Sequence, residues 1–334
     1  MRLQPAIQGV MQMRFPDKAS IGNYPTSIER NDSLESILGN RIRFFVKDES
    51  ASDETGMGIK IRQLEYLFAA ANKFGATHLI VDGVADSHCC AAISHYAPRY
   101  GLEAVVVVKE PKPAAPGATH QKTIDSGAEI IYLPNLPTEE PARTNDINDL
   151  KEKIAREYSA RGKKPMIVPT GATNELTIFG SAEIAKEIED YETAHAVKFD
   201  YIFMPVGTGG IIYGLEFWKR EMKKQWEVIG VIIDDKQQQD YQSKFLQIVE
   251  TLVSSGRISR KSLDAPLNLV EGSGQGYGVY SAEDIKQIAE IRQKTGVYFD
   301  PVYMHKCFNQ IAKMIQNGII GKGSDVLLIY TGKH

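Results

Sequence analysis

Two features of the sequence combine residue types and spacings that could do chemistry. The first is Lys60, which follows the turn Gly56-Met57-Gly58 and opens the amphipathic stretch 60–75. A solvated lysine gains nothing there, because the positive end of a helix disfavours a cation by roughly 0.3–1 kcal/mol. A partly buried lysine gains a lowered pKa from that helix end and from desolvation, and so becomes able to form a Schiff base with an aldehyde. The second feature is Gly207-Thr208-Gly209-Gly210, which joins an apolar stretch to a helical one. Glycines let the backbone turn tightly and aim several N–H groups into one cavity, and the following helix N-terminus adds positive potential, so the run suits a phosphate. It is not a Walker A loop, since no Gly-Lys-Ser/Thr follows, nor a dinucleotide fingerprint, since Ile212 stands where a third glycine belongs. Singly, each feature has an ordinary reading, a solvated lysine and a plain βα turn. Together they are the minimal kit for pyridoxal 5′-phosphate (PLP), one taking its aldehyde and the other its phosphate.

The elements that must position these residues alternate along the chain. Stretches 41–48, 77–83, 103–110, 129–134, 165–171, 199–207, 226–234 and 324–332 read as strands, and the unbroken apolar run in 103–110 implies burial on both faces. Stretches 60–75, 87–101, 119–128, 147–162, 175–190, 211–222, 236–254, 281–294 and 305–316 read as helices. Such alternation predicts an α/β protein with largely parallel sheets. The irregular stretches are 48–59, 111–118, 134–146 and 255–280, of which 48–59 and 255–280 carry clustered glycines and polar residues, as functional loops do.

Composition narrows the class. The 334 residues, 43% hydrophobic and 24% charged, fit a soluble globular protein of one large domain or two ordinary ones. A net charge of −3 without basic runs gives no nucleic-acid footprint, and no apolar stretch is long enough to span a bilayer. The first residues lack the pattern of a signal peptide. The three cysteines, Cys89, Cys90 and Cys307, have no metal-ligand spacing and read as reduced thiols of a cytoplasmic protein. His88 and His95 stand two turns apart with no carboxylate to complete a site, so no metal is expected. Cys89 acting as a nucleophile with His88 is disfavoured, because neighbours on a helix point apart.

The run "GMGIKIRQLEYLFAAANKFGATHLIVDGVADSHCCAAISHYAPRYGLEAVVVVKE" (56–110) resembles PLP-dependent enzymes of fold type II, the tryptophan synthase β-like group, and within it the 1-aminocyclopropane-1-carboxylate (ACC) deaminase and D-cysteine desulfhydrase family. The resemblance continues in order through "VPTGATNELTIFG" (168–180), the glycine run, "GYGVYSAED" (276–284), "FDPVYMHK" (299–306) and "YTG" (330–332). It implies two open α/β domains with PLP in the cleft, a larger one from 1–57 with 167–334 and a smaller mobile one at 58–166. It also implies a homodimer acting on a small amino acid, with no nucleic-acid or membrane partner. By position, Lys60 resembles the Schiff-base lysine, and Gly207, Thr208, Gly209 and Gly210 the phosphate cup. Ser87, His88 and Cys89 resemble the loop that takes the substrate carboxylate. Tyr277 and Tyr303 resemble the two active-site tyrosines, and Thr331 a hydroxyl facing the pyridine nitrogen.

The departures from the family pattern bear on substrate. His88 replaces Asn, Gln63 replaces a lysine that can assist the phosphate, Ile211 replaces a threonine after the cup, Met304 stands where ACC deaminases carry Glu, and His305 stands where glycine is usual. Loss of that Glu argues against opening the ACC ring. The resemblance therefore implies a lyase or deaminase that abstracts an α-proton and eliminates a β-substituent to give keto acid and ammonia, as D-cysteine desulfhydrases do. Two alternatives stay open: a β-replacement synthase, and a catalytically silent homologue that binds PLP or an amino acid.

Overall fold

The computed structural model describes residues 15–39, 41–133, 144–258 and 265–332. It builds two parallel sheets. The larger runs β1 (Ile28–Arg30), β2 (Arg43–Asp48), β10 (Asp325–Tyr330), β7 (Tyr201–Val206), β8 (Glu227–Ile232), β9 (Asn268–Glu271), and only β1 is antiparallel to its neighbour. The smaller runs β5 (Glu129–Tyr132), β4 (Glu103–Val108), β3 (His78–Gly83), β6 (Pro165–Ile167), all parallel.

Both sheets are sandwiched by helices, and the strands show it residue by residue. Successive side chains on a strand point to opposite faces. On β7, Ile202, Met204 and Val206 pack with α6 (Ile178–His195), α7 (Gly210–Glu221) and α8 (Gln238–Ser254), while Phe203 packs with α10 (Met304–Gln316) on the other face. On β4, Val106 and Val108 join the core under α2 (Lys60–Phe74) and α3 (His88–Tyr96), while Val105 and Val107 meet α5 (Thr144–Ala160). This is why the apolar runs expected as strands are continuous rather than alternating.

Three elements were not legible as such: β1, the short helix α1 (Asp32–Ile37), and β9, which lies inside a stretch expected to be irregular. All are short, and β1 and β9 are edge strands of few residues. The stretch 165–171 is strand only to Ile167; it then turns through Thr170–Ala172, with Gly171 at φ 66° and Ala172 at φ 55°. A non-glycine residue in that region costs about 1–2 kcal/mol and is held there by its surroundings. The helix at 87–101 ends at Tyr96 and continues as a short tight turn, Ala97–Tyr100, that contains Pro98. Most of the stretch 134–146 lies outside the described residues.

The helix that begins with Lys60 is fixed by a buried ionic cluster. Arg62, fully buried, forms paired hydrogen bonds to Glu49 (2.6 and 3.0 Å) and to Glu187 (2.8 and 2.9 Å). Its guanidinium lies 4.0 Å from the centre of the Tyr24 ring. Buried Lys47 completes the cluster at 2.6 Å from Glu187 and 3.6 Å from Glu49. Burial raises the Glu49 pKa, but Arg62 and Lys47 more than reverse this, so its net shift is downward and it stays ionised. Removing one partner of such a cluster strands a charge in the interior. Arg62→Ala is expected to lower unfolding free energy by about 3–5 kcal/mol in a urea titration at pH 7. A carboxyl whose folded pKa is depressed stabilises above its unfolded value and loses that contribution as the pH falls. The gap between Arg62→Ala and the parent should therefore narrow below about pH 4; a gap that widens in acid would contradict the assignment.

Candidate active site

Six segments from both sheets meet around Lys60. It is the first residue of α2, and its amine donates to Gly171 O and to Gln63 Oε1, each at 3.2 Å. Burial lowers its pKa from the ordinary lysine value, the direction needed for an amine that must shed its proton. The turn ahead of it is seated on the end of β10. Ile59 N donates to Thr331 O at 3.2 Å, and a Cβ on Gly58 (φ 63°) would lie 2.1 Å from that same carbonyl. Gly58 is therefore required twice, for its backbone conformation and for the close approach of the Thr331 strand end.

The glycine run leaves β7 and enters α7, with Gly209 at φ 89° capping the helix. Thr208 Oγ1 is 2.9 Å from Thr173 Oγ1, and a Cβ on Gly171 would meet the Thr208 side chain at 2.5 Å. The loop that accepts the Lys60 amine is thus packed directly on the run. Gln63 closes the circuit: a Cβ on Gly210 would lie 1.9 Å from Gln63 Nε2. That amide nitrogen is buried and has no hydrogen-bond partner. On the opposite side, a Cβ on Gly207 would stand 3.6 Å from the Tyr303 ring. The Tyr303 and Tyr277 hydroxyls are 2.8 Å apart, with their rings edge to face. Burial pushes both phenols up, Tyr303 well above the ordinary value, so both carry their protons at neutral pH. Asp300 holds Tyr303 in place by accepting the N–H groups of Val302, Tyr303 and Met304 at 2.7–3.1 Å.

Ser87 caps α3, its hydroxyl accepting from Cys90 N at 3.3 Å. A helix N-terminus of this kind carries positive potential, which favours an anion. His88 and Cys89 lie within electrostatic reach of the lysine. Burial, with help from Lys122 and Lys60, holds the His88 pKa down at about 4, so the imidazole is neutral at pH 7. An unperturbed imidazole would change charge near neutral pH; burial removes that change here. Burial pushes the Cys89 thiol up to about 11, which makes it a poor nucleophile. Thr331 is buried, and its hydroxyl and N–H both lie 3.5 Å from Met304 Sδ. Among the described residues no group of three or more His, Cys, Asp or Glu side chains could hold a metal ion.

The family model for pyridoxal-phosphate-dependent enzymes matches residues 19–332. The chain belongs to that family. Among its relatives, a D-cysteine desulfhydrase of Klebsiella pneumoniae is 27% identical, with 96% of this chain and 94% of that protein covered. The bifunctional D-cysteine desulfhydrase/ACC deaminase of Arabidopsis thaliana, a mitochondrial protein, is 28% identical over 94% of this chain and 77% of its own length. A crystal structure of an ACC deaminase homologue superposes with a TM-score of 0.82 at 23% identity, covering 99% of this chain and 95% of the other, and so shares the fold. The cofactor is PLP, and the residues present fit it. The unpartnered Gln63 amide and the helix N-terminus at Gly209-Gly210 offer donors where a phosphate would sit, and the cradle beside Gly210 leaves no room for a side chain.

The sequence pointed to most of these residues but gave Gln63 only as a missing lysine, and gave Gly171 and Thr173 no individual role. Their weight comes from contacts far apart in sequence, Lys60 with Gly171 across 111 positions, Gln63 with Gly210 and Thr173 with Thr208, visible only in the fold. Asp234, just beyond β8 (Glu227–Ile232), sits under the glycine run, where the Tyr241 hydroxyl reaches both its carboxylate and, at 2.8 Å, Gly207 O. Gly209 is a poor probe of phosphate binding, because a Cβ there would meet the Tyr213 ring at 2.2 Å and the backbone is left-handed. Gln63→Met keeps the size and removes the donor. A hydrogen bond to a charged group contributes about 1.5–3 kcal/mol. The variant should therefore bind PLP about 10–100-fold more weakly when cofactor-free protein is titrated and followed by absorbance. Unchanged affinity would remove Gln63 from the phosphate site.

Proposed function

We propose that this enzyme is a lyase that takes the α-proton and the β-substituent from a small amino acid, with D-cysteine-like thiols as the preferred class. The observation that carries the reading is the juxtaposition of Lys60, the glycine run and the Tyr277–Tyr303 pair in one circuit of contacts. The names of the relatives support the same class. Met304, a thioether where ACC deaminases carry a carboxylate, weighs against ring opening of ACC. For D-cysteine the balance is cysteine plus water giving pyruvate, ammonia and hydrogen sulfide.

PLP, which Lys60 and the glycine run would hold until the substrate amine takes the place of Lys60, would supply an electron sink that acidifies the hydrogen on the substrate's α-carbon. The Lys60 amine, with its lowered pKa, is suited to receive that proton. Tyr303, held by Asp300 and bonded to Tyr277, keeps a phenolic proton available for the departing thiolate. The first turn of α3 at Ser87, His88 and Cys89 orients the substrate carboxylate through its N–H groups. Thr331 offers a neutral hydroxyl toward the cofactor ring, which suits elimination better than transamination. Closure of a smaller domain, 58–166, over the cleft excludes water, and the assembly is a cytoplasmic homodimer.

Purified protein given D-cysteine, L-cysteine, D-serine and ACC should release sulfide, keto acid and ammonia in equal amounts from D-cysteine. Borohydride reduction should fix the cofactor on the peptide containing Lys60, and Lys60→Ala should be inactive. A new thioether formed in the presence of added thiol, in place of keto acid, would favour replacement over elimination. Release of no product from any of the four would sink the lyase reading.

Neutral His88 narrows the pocket without adding a charge to it. His88→Asn should leave cofactor binding intact and shift kcat/KM among these substrates by about tenfold, the scale of one pocket contact. Between pH 6 and 8 neither protein should show a rate limb due to residue 88, because the imidazole gains its proton only near pH 4. An ionisation near pH 6.5 present in the parent and lost in His88→Asn would overturn that assignment.

A further inference from the structure

Tyr277 stands on a loop with little to hold it. Residues 272–280 contain left-handed glycines at 274 (φ 64°), 276 (φ 120°) and 278 (φ 72°), and Tyr277, Val279 and Tyr280 are all more than one-third exposed. Glycine-rich backbone with exposed side chains is the kind of segment that samples many conformations. Yet the Tyr277 hydroxyl meets that of Tyr303 at 2.8 Å.

The order comes from α10. Lys306 lies one helical turn beyond Tyr303, at the i+3 spacing that puts both on one side of the helix. Its ammonium donates to two loop carbonyls, Ser273 O and Gly276 O, each at 2.6 Å. These carbonyls also take the turn hydrogen bonds from Gly276 N (3.1 Å) and Val279 N (3.3 Å), so the ammonium neutralises the acceptors on which the loop folds. Gly276 directly precedes Tyr277, and its carbonyl belongs to the peptide linking the two. The adjoining residue, His305, reaches the far end of the loop. Its Nε2 is 3.3 Å from Asp284 Oδ1, and Asp284 Oδ2 accepts the N–H and the hydroxyl of Ser281 at 2.7 Å each. Burial lowers the Lys306 pKa while Asp284 and Asp235 act to keep its charge.

We infer that Lys306 is a positioning residue that holds the Gly276–Tyr277 backbone so that the Tyr277 hydroxyl meets that of Tyr303. Among the described residues the hydrogen bonds of the Lys306 ammonium go to the loop. This assignment rests on the proposed lyase reading for its catalytic consequence and on the loop contacts alone for its structural one.

The test uses Lys306→Met in the PLP-loaded enzyme, read in two ways. Hydrogen–deuterium exchange of the peptide spanning 272–281 should accelerate about tenfold, of the order expected for losing a hydrogen bond to a charged group. With D-cysteine, kcat should fall about tenfold while KM and PLP affinity stay within about twofold, since positioning acts on the chemical step. In a Tyr277→Phe background the same change should cost less than about twofold, because the group being positioned is gone. A full tenfold loss in that background, or unaltered exchange, would overturn the assignment. Should Lys306→Met fail to fold, Lys306→Gln, which keeps a shorter neutral donor, is judged by the same two readings. Should the parent prove inactive on every substrate, the lyase reading fails, and the exchange result still decides whether Lys306 holds the loop.

Discussion

The site depends on the seating of α2. A lysine at the first turn of a helix is only as well placed as that turn, and Arg62, two residues on, is locked by two carboxylates from different parts of the chain, Glu49 after β2 and Glu187 on α6. A guanidinium with both of its faces engaged bidentately leaves little freedom in position or rotation. The helix is also in close backbone contact with α6: a Cβ on Gly180 would lie 2.3 Å from Arg62 O. A cluster of this kind adds little net stability over a well-packed apolar one, but it specifies one arrangement. Here the arrangement it specifies is the register between Lys60, which heads α2, and the strand ends of the large sheet.

Around Lys60 the electrostatics are sparse. His88 is neutral, the phenols are protonated, Cys89 is a thiol, Gln63 and Thr331 are uncharged. The N-terminus of α7 gives the glycine run positive potential through its backbone dipoles. Half-exposed Lys236 donates to Asp234 at 2.6 Å and to Gly207 O at 3.4 Å.

The sequence made the chemistry visible earlier than the architecture. Lys60 and the glycine run stand in short motifs whose residue types suggest a use, the two tyrosines came only through the family resemblance, and the long apolar strands announce the class of fold. Short edge strands such as β1 and β9 carry too few residues for a period to register. The turn at Thr170–Ala172 was hidden because Gly171 and Ala172 take left-handed conformations imposed by contacts to Thr208 and Lys60 far away in sequence. The role of Lys306 was illegible for the same reason: a lysine on a helix face says nothing of two carbonyls 30 and 33 residues earlier.

The strand order has a consequence for how the molecule is made. β10 is the last strand in the chain, yet it occupies the middle of the large sheet between β2 and β7, and its end at Thr331 forms the seat for the turn before Lys60. During synthesis, β1 with β2 and β7 to β9 can emerge only as two separate half-sheets with a slot between them. Each presents an open parallel edge until the final strand inserts, and those edges are templates for pairing with other chains. The lysine, its turn and the strand end at Thr331 therefore come together only when that slot is filled.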